Sequence, residues 1–472
     1  MNSIGVIGGG SSGLISALII KKTFPKINVT VIKSDKIGII GVGESTTEHI
    51  KEFIDFCEID KNELIKETKA VPKLGILFKN WSKKDFIYSV NTDLYNAKIG
   101  QFNYGFADLI KKQKNSYQYT NKEMWDNKIF SNSNIYQYNF NTFYFNNYLL
   151  KLCRKMKIKV VNDVIEKVVV NNKKIKNLKS KNKQYKFDFY IDATGFKKLL
   201  ISNLKPEWVS YKEYLPFNEA IAFPTEDTDK YPSYTIATKL KHGWMWNTPT
   251  QGRWGNGYVY NGNKTDKNKI KKECEKHLNK KIEKFFHFKF EPGALKESWI
   301  GNCVAIGLSS SFVEPLEATA ISSGIQQTFL LTNLLINYDK NQMDQYNKTV
   351  ENMNINIRDF ISLHYITDGK WRLETKVPKT LQHQLNLWKK RLPIKLDFES
   401  QYILFGEAHF FIILKELGLI SKLNVIKMLN KHRASNENYT SEFEKYYNNN
   451  RDHWYKNSVD LKQYLHNKKI YI

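Results

Sequence analysis

Ser3 to Gly13 reads SIGVIGGGSSG, a short apolar strand that runs straight into a glycine-rich turn. Gly8, Gly10 and Gly13 fit G-x-G-x-x-G, and Ser11 and Ser12 open a helical stretch that carries Ala17. The glycines allow a tight turn, the close approach of a pyrophosphate and close packing of helix on strand. The first amides of such a helix have no partner within it and suit phosphate oxygens. Asn28 to Ile32, NVTVI, follows at the distance of the next parallel strand, so the pattern predicts a dinucleotide-binding α/β unit. That strand ends Lys33-Ser34-Asp35, where an acid for the ribose hydroxyls is usual. Lys33 therefore borders the ribose, and the hydroxyl contact falls to Ser34 or Asp35.

Two later segments belong to the same site. Lys186 to Gly195, KFDFYIDATG, is an apolar strand ending in Asp192, suited to the far edge of a dinucleotide site. Val304 to Ile321, VAIGLSSSFVEPLEATAI, enters a small-residue turn and then a helical stretch with Pro315 at its start. Glu314 and Glu317 suit the positive end of that helix, as caps; the amides that follow suit a small anion instead. This split arrangement is that of a flavin site, since a nicotinamide-only module keeps its elements closer together.

Between these segments, Gly38 to Thr47 (GIIGVGESTT) has the glycine content of a loop laid across a cofactor. Glu48 to Cys57 reads as a helix and Ala70 to Phe78 (AVPKLGILF) as a strand containing Lys73. A lysine there is ordinarily a solvated edge residue, but a desolvated one supplies a reactive amine near neutral pH. Tyr88 to Tyr148 is aromatic and Asn-rich, like a substrate-side insertion. Asn147 to Met156, Ile325 to Leu335 and Met353 to His364 read as helices. In Gly243 to Pro249, GWMWNTP, Trp244 and Trp246 share one face of a strand, either as core or as a pocket wall.

Composition sets outer limits. The chain has 472 residues, 41% of them hydrophobic, enough for a large core. Its +26 charge comes mostly from lysine spread along the chain rather than gathered in a nucleic-acid-binding stripe. Cys57, Cys153, Cys274 and Cys303 show no metal or disulfide spacing and fit a reducing compartment. No apolar run is long enough to span a membrane, and the chain opens directly on a strand, so the expectation is a soluble, cytoplasmic protein with no metal.

Together these segments resemble the flavin-dependent halogenases, in particular the tryptophan-halogenase group. The likeness rests on GxGxxG, GVGES (Gly41 to Ser45), PKLGILF around Lys73, GWMWNTP, IDATGF (Ile191 to Phe196), RWGNGYVY (Arg253 to Tyr260), GLSSSFVEPLEAT and RDFISLHY (Arg358 to Tyr365), all in the family's order. It implies an α/β flavoprotein monooxygenase-like fold. The FAD module would be interleaved as 1–85, 151–200 and 296–340, with a substrate-side insertion at 86–150, a substrate module at 201–295 and a helical part at 341–472. It also implies reduced FAD, supplied by a separate NAD(P)H flavin reductase, together with O2 and a halide.

By the same resemblance, Gly8, Gly10, Ser11, Ser12, Gly13, Lys33, Gly43, Glu44, Val164, Asp192, Leu308 and Ile321 border the FAD. Thr319 and Ala320 hold the halide, Lys73 carries the hypohalous acid to the substrate, and Glu317 is the catalytic acid or base. Trp244 and Trp246 stand between flavin and substrate. Ala320 replaces the family's glycine, which favours a softer halide. Gln101 to Phe106 and the C-terminal third would line a small aromatic substrate, an indole, a phenol or a carrier-bound group. Two rivals share part of the pattern. A flavin hydroxylase needs neither Lys73 nor the tryptophan pair, and a polyanion-binding protein needs neither Glu317 nor the flavin loop.

Overall fold

The computed structural model describes residues 1–38, 44–88, 128–130, 137–228, 230–366, 375–398, 400, 402–421, 423–424, 427 and 455–470. Ile39 to Gly43 of the expected cofactor loop, the Gln101 to Phe106 stretch and most of the tail beyond Arg433 lie outside these residues, as does the side chain of Glu44.

The chain folds as an α/β protein around a six-stranded sheet. Ser3–Ile7 lies between Asn28–Lys33 and Phe189–Asp192, both parallel to it, with Ile4 opposite Val29 and Phe189. Lys159–Asn162 extends one side in parallel, and Cys303–Ala305 the other. Trp299–Ile300 closes that edge antiparallel. Central strands of such a sheet are covered on both faces and so read as unbroken apolar runs; Ile4, Val6, Tyr190, Ile191 and Val304 are fully buried. The helix Ser11–Thr23 packs between this sheet and the helix Thr319–Leu334, where Ser16 Oγ meets Thr328 Oγ1 at 2.8 Å. The two ends of the dinucleotide pattern, some 300 residues apart in sequence, are thus one layer.

A seven-stranded sheet forms the second layer, in the order Phe286–Lys289, Glu219–Glu226, Arg253–Tyr260, Gly243–Thr250, Tyr234–Lys239, Gly75–Lys79 and Phe86–Tyr88. The expected strand Ala70 to Phe78 is in fact two. Val71–Lys73 pairs with Gln137–Phe140 in a small three-stranded sheet, whereas Gly75–Lys79 joins Tyr234–Lys239 in parallel. Leu74 is the pivot, its amide donating to Ser233 O at 2.6 Å. A single apolar run cannot announce that its halves have different partners.

Helix starts differ from expectation for local reasons. The helix expected from Asn147 begins at Thr142, because the Asn141 side chain accepts from the Phe143 amide at 3.1 Å. The helix expected from Met353 begins at Lys340, behind an Asp339/Gln342 capping box. Pro315 opens only a 3₁₀ turn, Pro315–Glu317; Ala318 then adopts φ +53°, and the α-helix starts at Thr319. Neither Glu314 nor Glu317 caps it, and both are buried, 2% exposed. No described helix is long and apolar enough to cross a membrane, and the four cysteines are free thiols.

Candidate active site

The glycine turn forms the floor of a cleft of about 610 Å³ between the strand ends and the helix Thr142–Lys155. Gly8 has φ +120°, and a Cβ there would meet Ala193 O at 2.1 Å. A Cβ at Gly13 would meet Gly8 O at 2.2 Å, so this glycine sets the close packing of helix on strand. Around Gly10 there is open space. Gly8, Gly10, Ser11, Ser12, Lys33, Val164, Leu308 and Ile321 all line the cleft. Helix amides, a glycine cradle and this volume fit a dinucleotide such as FAD.

Two sequence-predicted residues serve the cleft from behind. Gly13 is one; Asp192 is the other. The Asp192 carboxylate is fully buried and accepts from the amides of Thr194, Leu200 and Ile201 and from the Thr194 and Ser309 hydroxyls. Its neighbours Ala193, Thr194 and Gly195 reach the cleft instead. At the end of the cleft lined by Lys33, Ser34 and Asp35, the Lys33 ammonium pairs with Asp35, which also accepts from Asn162 Nδ2 at 2.6 Å.

Leu308, Ala320 and Ile321 form a wall shared with a second cavity of about 210 Å³. Trp244, Trp246, Glu314 and Thr319 also line it. The two indoles do share a wall, with ring centroids 6.0 Å apart. The helix Thr319–Leu334 opens here without a side-chain cap, leaving its first amides to the cavity. Glu314 accepts from the Tyr365 hydroxyl, and the Trp244 indole lies beside it. Burial pushes the Glu314 carboxyl up to about 8, against the pull of those two donors. It is therefore mostly protonated at neutral pH, and a nearby anion meets no carboxylate charge from it.

Ile76 in turn is shared between this cavity and a third, small one of about 20 Å³, lined by Thr47, Glu48, Lys73, Tyr88, Gln137, Glu317, Phe405 and His409 among others. Lys73 sits at the end of its strand, opposite Gln137, and is 3% exposed. Its ammonium donates to Thr46 O at 2.9 Å. Burial lowers it to about 8, although Glu317 and Glu48 pull upward.

Beside Glu317 stands a residue whose role sequence reasoning missed. His364 is fully buried, and its Nδ1 lies 2.8 Å from the Phe360 carbonyl, which can only accept. Nδ1 thus carries a proton, and Nε2 faces Glu317 Oε1 at 2.9 Å, off the ideal hydrogen-bond direction. Thr46, Glu48 and His409 were also missed. The signal for His364 was present, inside RDFISLHY. Among the described residues no cluster suits a metal.

A family model described as tryptophan halogenase matches residues 3–430. A tryptophan 6-halogenase of Streptomyces toxytricini is 28% identical over 441 residues, covering 82% of this chain and 84% of that one. A tryptophan 7-halogenase of Lentzea aerocolonigenes is 25% identical over 484 residues, covering 89% and 90%. The fold matches that of a flavin-dependent halogenase from Xanthomonas campestris, with a TM-score of 0.84 at 24% identity over 99% of this chain and 98% of that one. With the glycine cradle, the buried Lys73–Glu317 cavity and a family match along nearly the whole sequence, the chain belongs to the tryptophan halogenase family of flavin-dependent oxidoreductases.

Proposed function

We propose that the chain is a two-component halogenase that uses FADH2 and O2 to oxidise a bound halide and halogenates an electron-rich indole or phenol through Lys73. The observation that carries this reading is the succession of adjoining cavities. The dinucleotide cleft shares Leu308, Ala320 and Ile321 with the tryptophan-walled cavity, and that cavity shares Ile76 with the Lys73 cavity. Bound FAD, once reduced, supplies with O2 the oxidising equivalents that convert halide to hypohalous acid.

The remaining work falls to the chain itself. The first amides of the helix, at Thr319 and Ala320, would hold the halide, favoured by the positive helix end and by the protonated state of Glu314. Ala320 stands where the family has glycine, and with this position altered the site is proposed to prefer the softer, more easily oxidised halides, bromide and iodide. Trp244, Trp246 and Ile76 keep bulk water from the oxidant's route. Lys73 receives the oxidant away from solvent, as an amine that forms a haloamine or as an ammonium that donates a hydrogen bond. Glu317, with the His364 imidazole 2.9 Å from its Oε1, accepts the proton lost from the arene as its ring regains aromaticity.

The test incubates the protein with a flavin reductase, FAD, NADH, oxygen, bromide or iodide and a panel of indoles and phenols, with catalase present. Mass spectrometry should detect halogenated product with wild type and none with Lys73→Ala. Product carrying added oxygen without halogen would instead assign a hydroxylase.

A further inference from the structure

The segment Ser45 to Thr47 crosses from the tryptophan-walled cavity to the Lys73 cavity. Ser45 lines the first and Thr47 the second, and Thr46 between them offers its carbonyl to the Lys73 ammonium. A second crossing lies beside it, on the strand Gln137–Phe140, which runs between Glu44–Ser45 and Val71–Lys73. Asn139 stands opposite Ser45 on one side and Val71 on the other, and Gln137 stands opposite Lys73. Opposed residues share a face, and so do residues two apart on one strand. Ser45, Asn139, Gln137 and Lys73 therefore form one polar row on a single face, with about 7 Å along the strand between the first pair and the second. The row starts on the tryptophan-walled cavity, at Ser45, and ends on the Lys73 cavity, at Gln137 and Lys73.

The middle of this row is dry, and its hydrogen bonds are unmade. Asn139 is fully buried, yet among the described residues neither its Oδ1 nor its Nδ2 has a partner, and the Ser45 hydroxyl opposite has none either. Buried polar side-chain atoms are bonded in the large majority of cases, so a neighbouring pair of this kind calls for an occupant. A carboxamide with no bonds to lose also turns about its side-chain torsions without breaking one. The closed row can therefore open, and it then presents a donor, an acceptor and a hydroxyl to a passing molecule. The cavity at its far end, about 20 Å³, suits a guest of about a water's size.

We propose that Ser45 and Asn139 hand the oxidant across: hypohalous acid leaving the tryptophan-walled cavity is held by hydrogen bonds to these two side chains and passes along this face of the small sheet to Lys73. The inference rests on the halogenase reading above and names the residues that act between the flavin side and the lysine. Hypohalous acid matches the row. It is small and uncharged at neutral pH, with one O–H to donate and oxygen lone pairs that accept. The Asn139 Oδ1 takes the O–H, the Asn139 Nδ2 donates to the oxygen, and the Ser45 hydroxyl serves in either sense. Neither side chain is an amine, thiol or thioether that the oxidant would consume on the way. Bulk water stays out, because the row is closed until the amide turns.

The test counts where the oxidant goes. The full-length chain is supplied with a flavin reductase, FAD, NADH, oxygen, bromide, catalase and the arene of the panel that wild type brominates best, in an excess of free methionine. Oxidant that escapes the protein converts methionine to its sulfoxide, so the ratio of brominated arene to bromide-dependent sulfoxide, both read by mass spectrometry, measures the handover. Asn139→Leu keeps the bulk of the side chain and removes both hydrogen-bonding atoms. It should lower that ratio by about tenfold or more, with the sum of the two products and the FAD affinity within about twofold of wild type. Ser45→Ala should lower the ratio in the same direction, and it decides the matter should Asn139→Leu fail to fold, as reported by lost FAD binding. A ratio unchanged in the variants overturns the inference and leaves the Ile76 wall as the route, with the halogenase reading intact. A fall in the sum at constant ratio assigns Asn139 a structural role and overturns it too. Wild type that yields neither brominated arene nor bromide-dependent sulfoxide refutes the halogenase reading itself, and this inference with it.

Discussion

Glu314 offers a quantitative test of the electrostatics around the middle cavity. Its carboxyl is 2% exposed and is pushed from 4.5 up to about 8 by burial. Between those values the folded chain holds one proton more than the unfolded chain does. Stability therefore falls as pH rises, by about 1.4 kcal/mol per pH unit. From about pH 6 to about pH 8 the accumulated cost grows by about 2 kcal/mol. Glu314→Gln keeps an acceptor for the Tyr365 hydroxyl but has nothing to titrate. Whatever constant offset the amide brings, the difference between the two chains should shift in favour of glutamine by that same amount over the interval. Urea unfolding of both proteins, run side by side at both pH values, measures the shift. A difference that stays flat with pH, or that moves in favour of wild type, would refute the assignment of a buried, protonated acid. A second readout follows from the same charge. Halide affinity in wild type should decline as pH passes about 8 and a carboxylate appears on the cavity wall, and this decline should be absent from Glu314→Gln.

Lys73 should titrate near 8, well below an ordinary lysine, as read by pH-dependent acylation and mass spectrometry of its peptide. Removing the Glu48 charge, which raises Lys73, should lower that value further; titration near 10.5 would contradict the buried position. Gly13→Ala drives a methyl to 2.2 Å from Gly8 O, so FAD binding followed by flavin fluorescence should weaken severely while the fold, by circular dichroism, remains. His364→Asn removes the imidazole whose Nε2 lies 2.9 Å from Glu317 Oε1. It should lower kcat by about a hundredfold or more with KM and flavin affinity little changed, and a wild-type kcat would show that the imidazole has no part in the proton transfer.

The glycine turn was legible in the sequence because its demands are local. A left-handed or crowded backbone position excludes a Cβ wherever the rest of the chain lies, so Gly8 and Gly13 carry their meaning in three or four neighbours. The apolar strands beneath it were legible for a related reason, since a strand covered on both faces must be apolar throughout. The organising segment Val304 to Ile321 was read correctly as a turn leading into a helix, but the fate of its acids was not readable. The local pattern favours capping, and only the packing of the helix Lys340–His364 against the segment, bringing Tyr365 to Glu314 and His364 to Glu317, buries both carboxyls.

Lys73 shows the same division. On local grounds it is an edge lysine. Its lowered pKa comes from removal of water by elements remote in sequence, and its neighbours Thr46, Glu48 and Glu317 arrive from separate segments. The break at Leu74 was hidden likewise, because strand partners at Gln137–Phe140 and Tyr234–Lys239 are chosen by long-range register. The sequence by itself determined the dinucleotide cradle, the order of the site's segments and the residue types available for chemistry, since backbone sterics and side-chain chemistry are written locally. The tertiary structure alone decided which of those side chains are dry, paired and adjoining, since desolvation and charge coupling depend on what the rest of the chain packs against them.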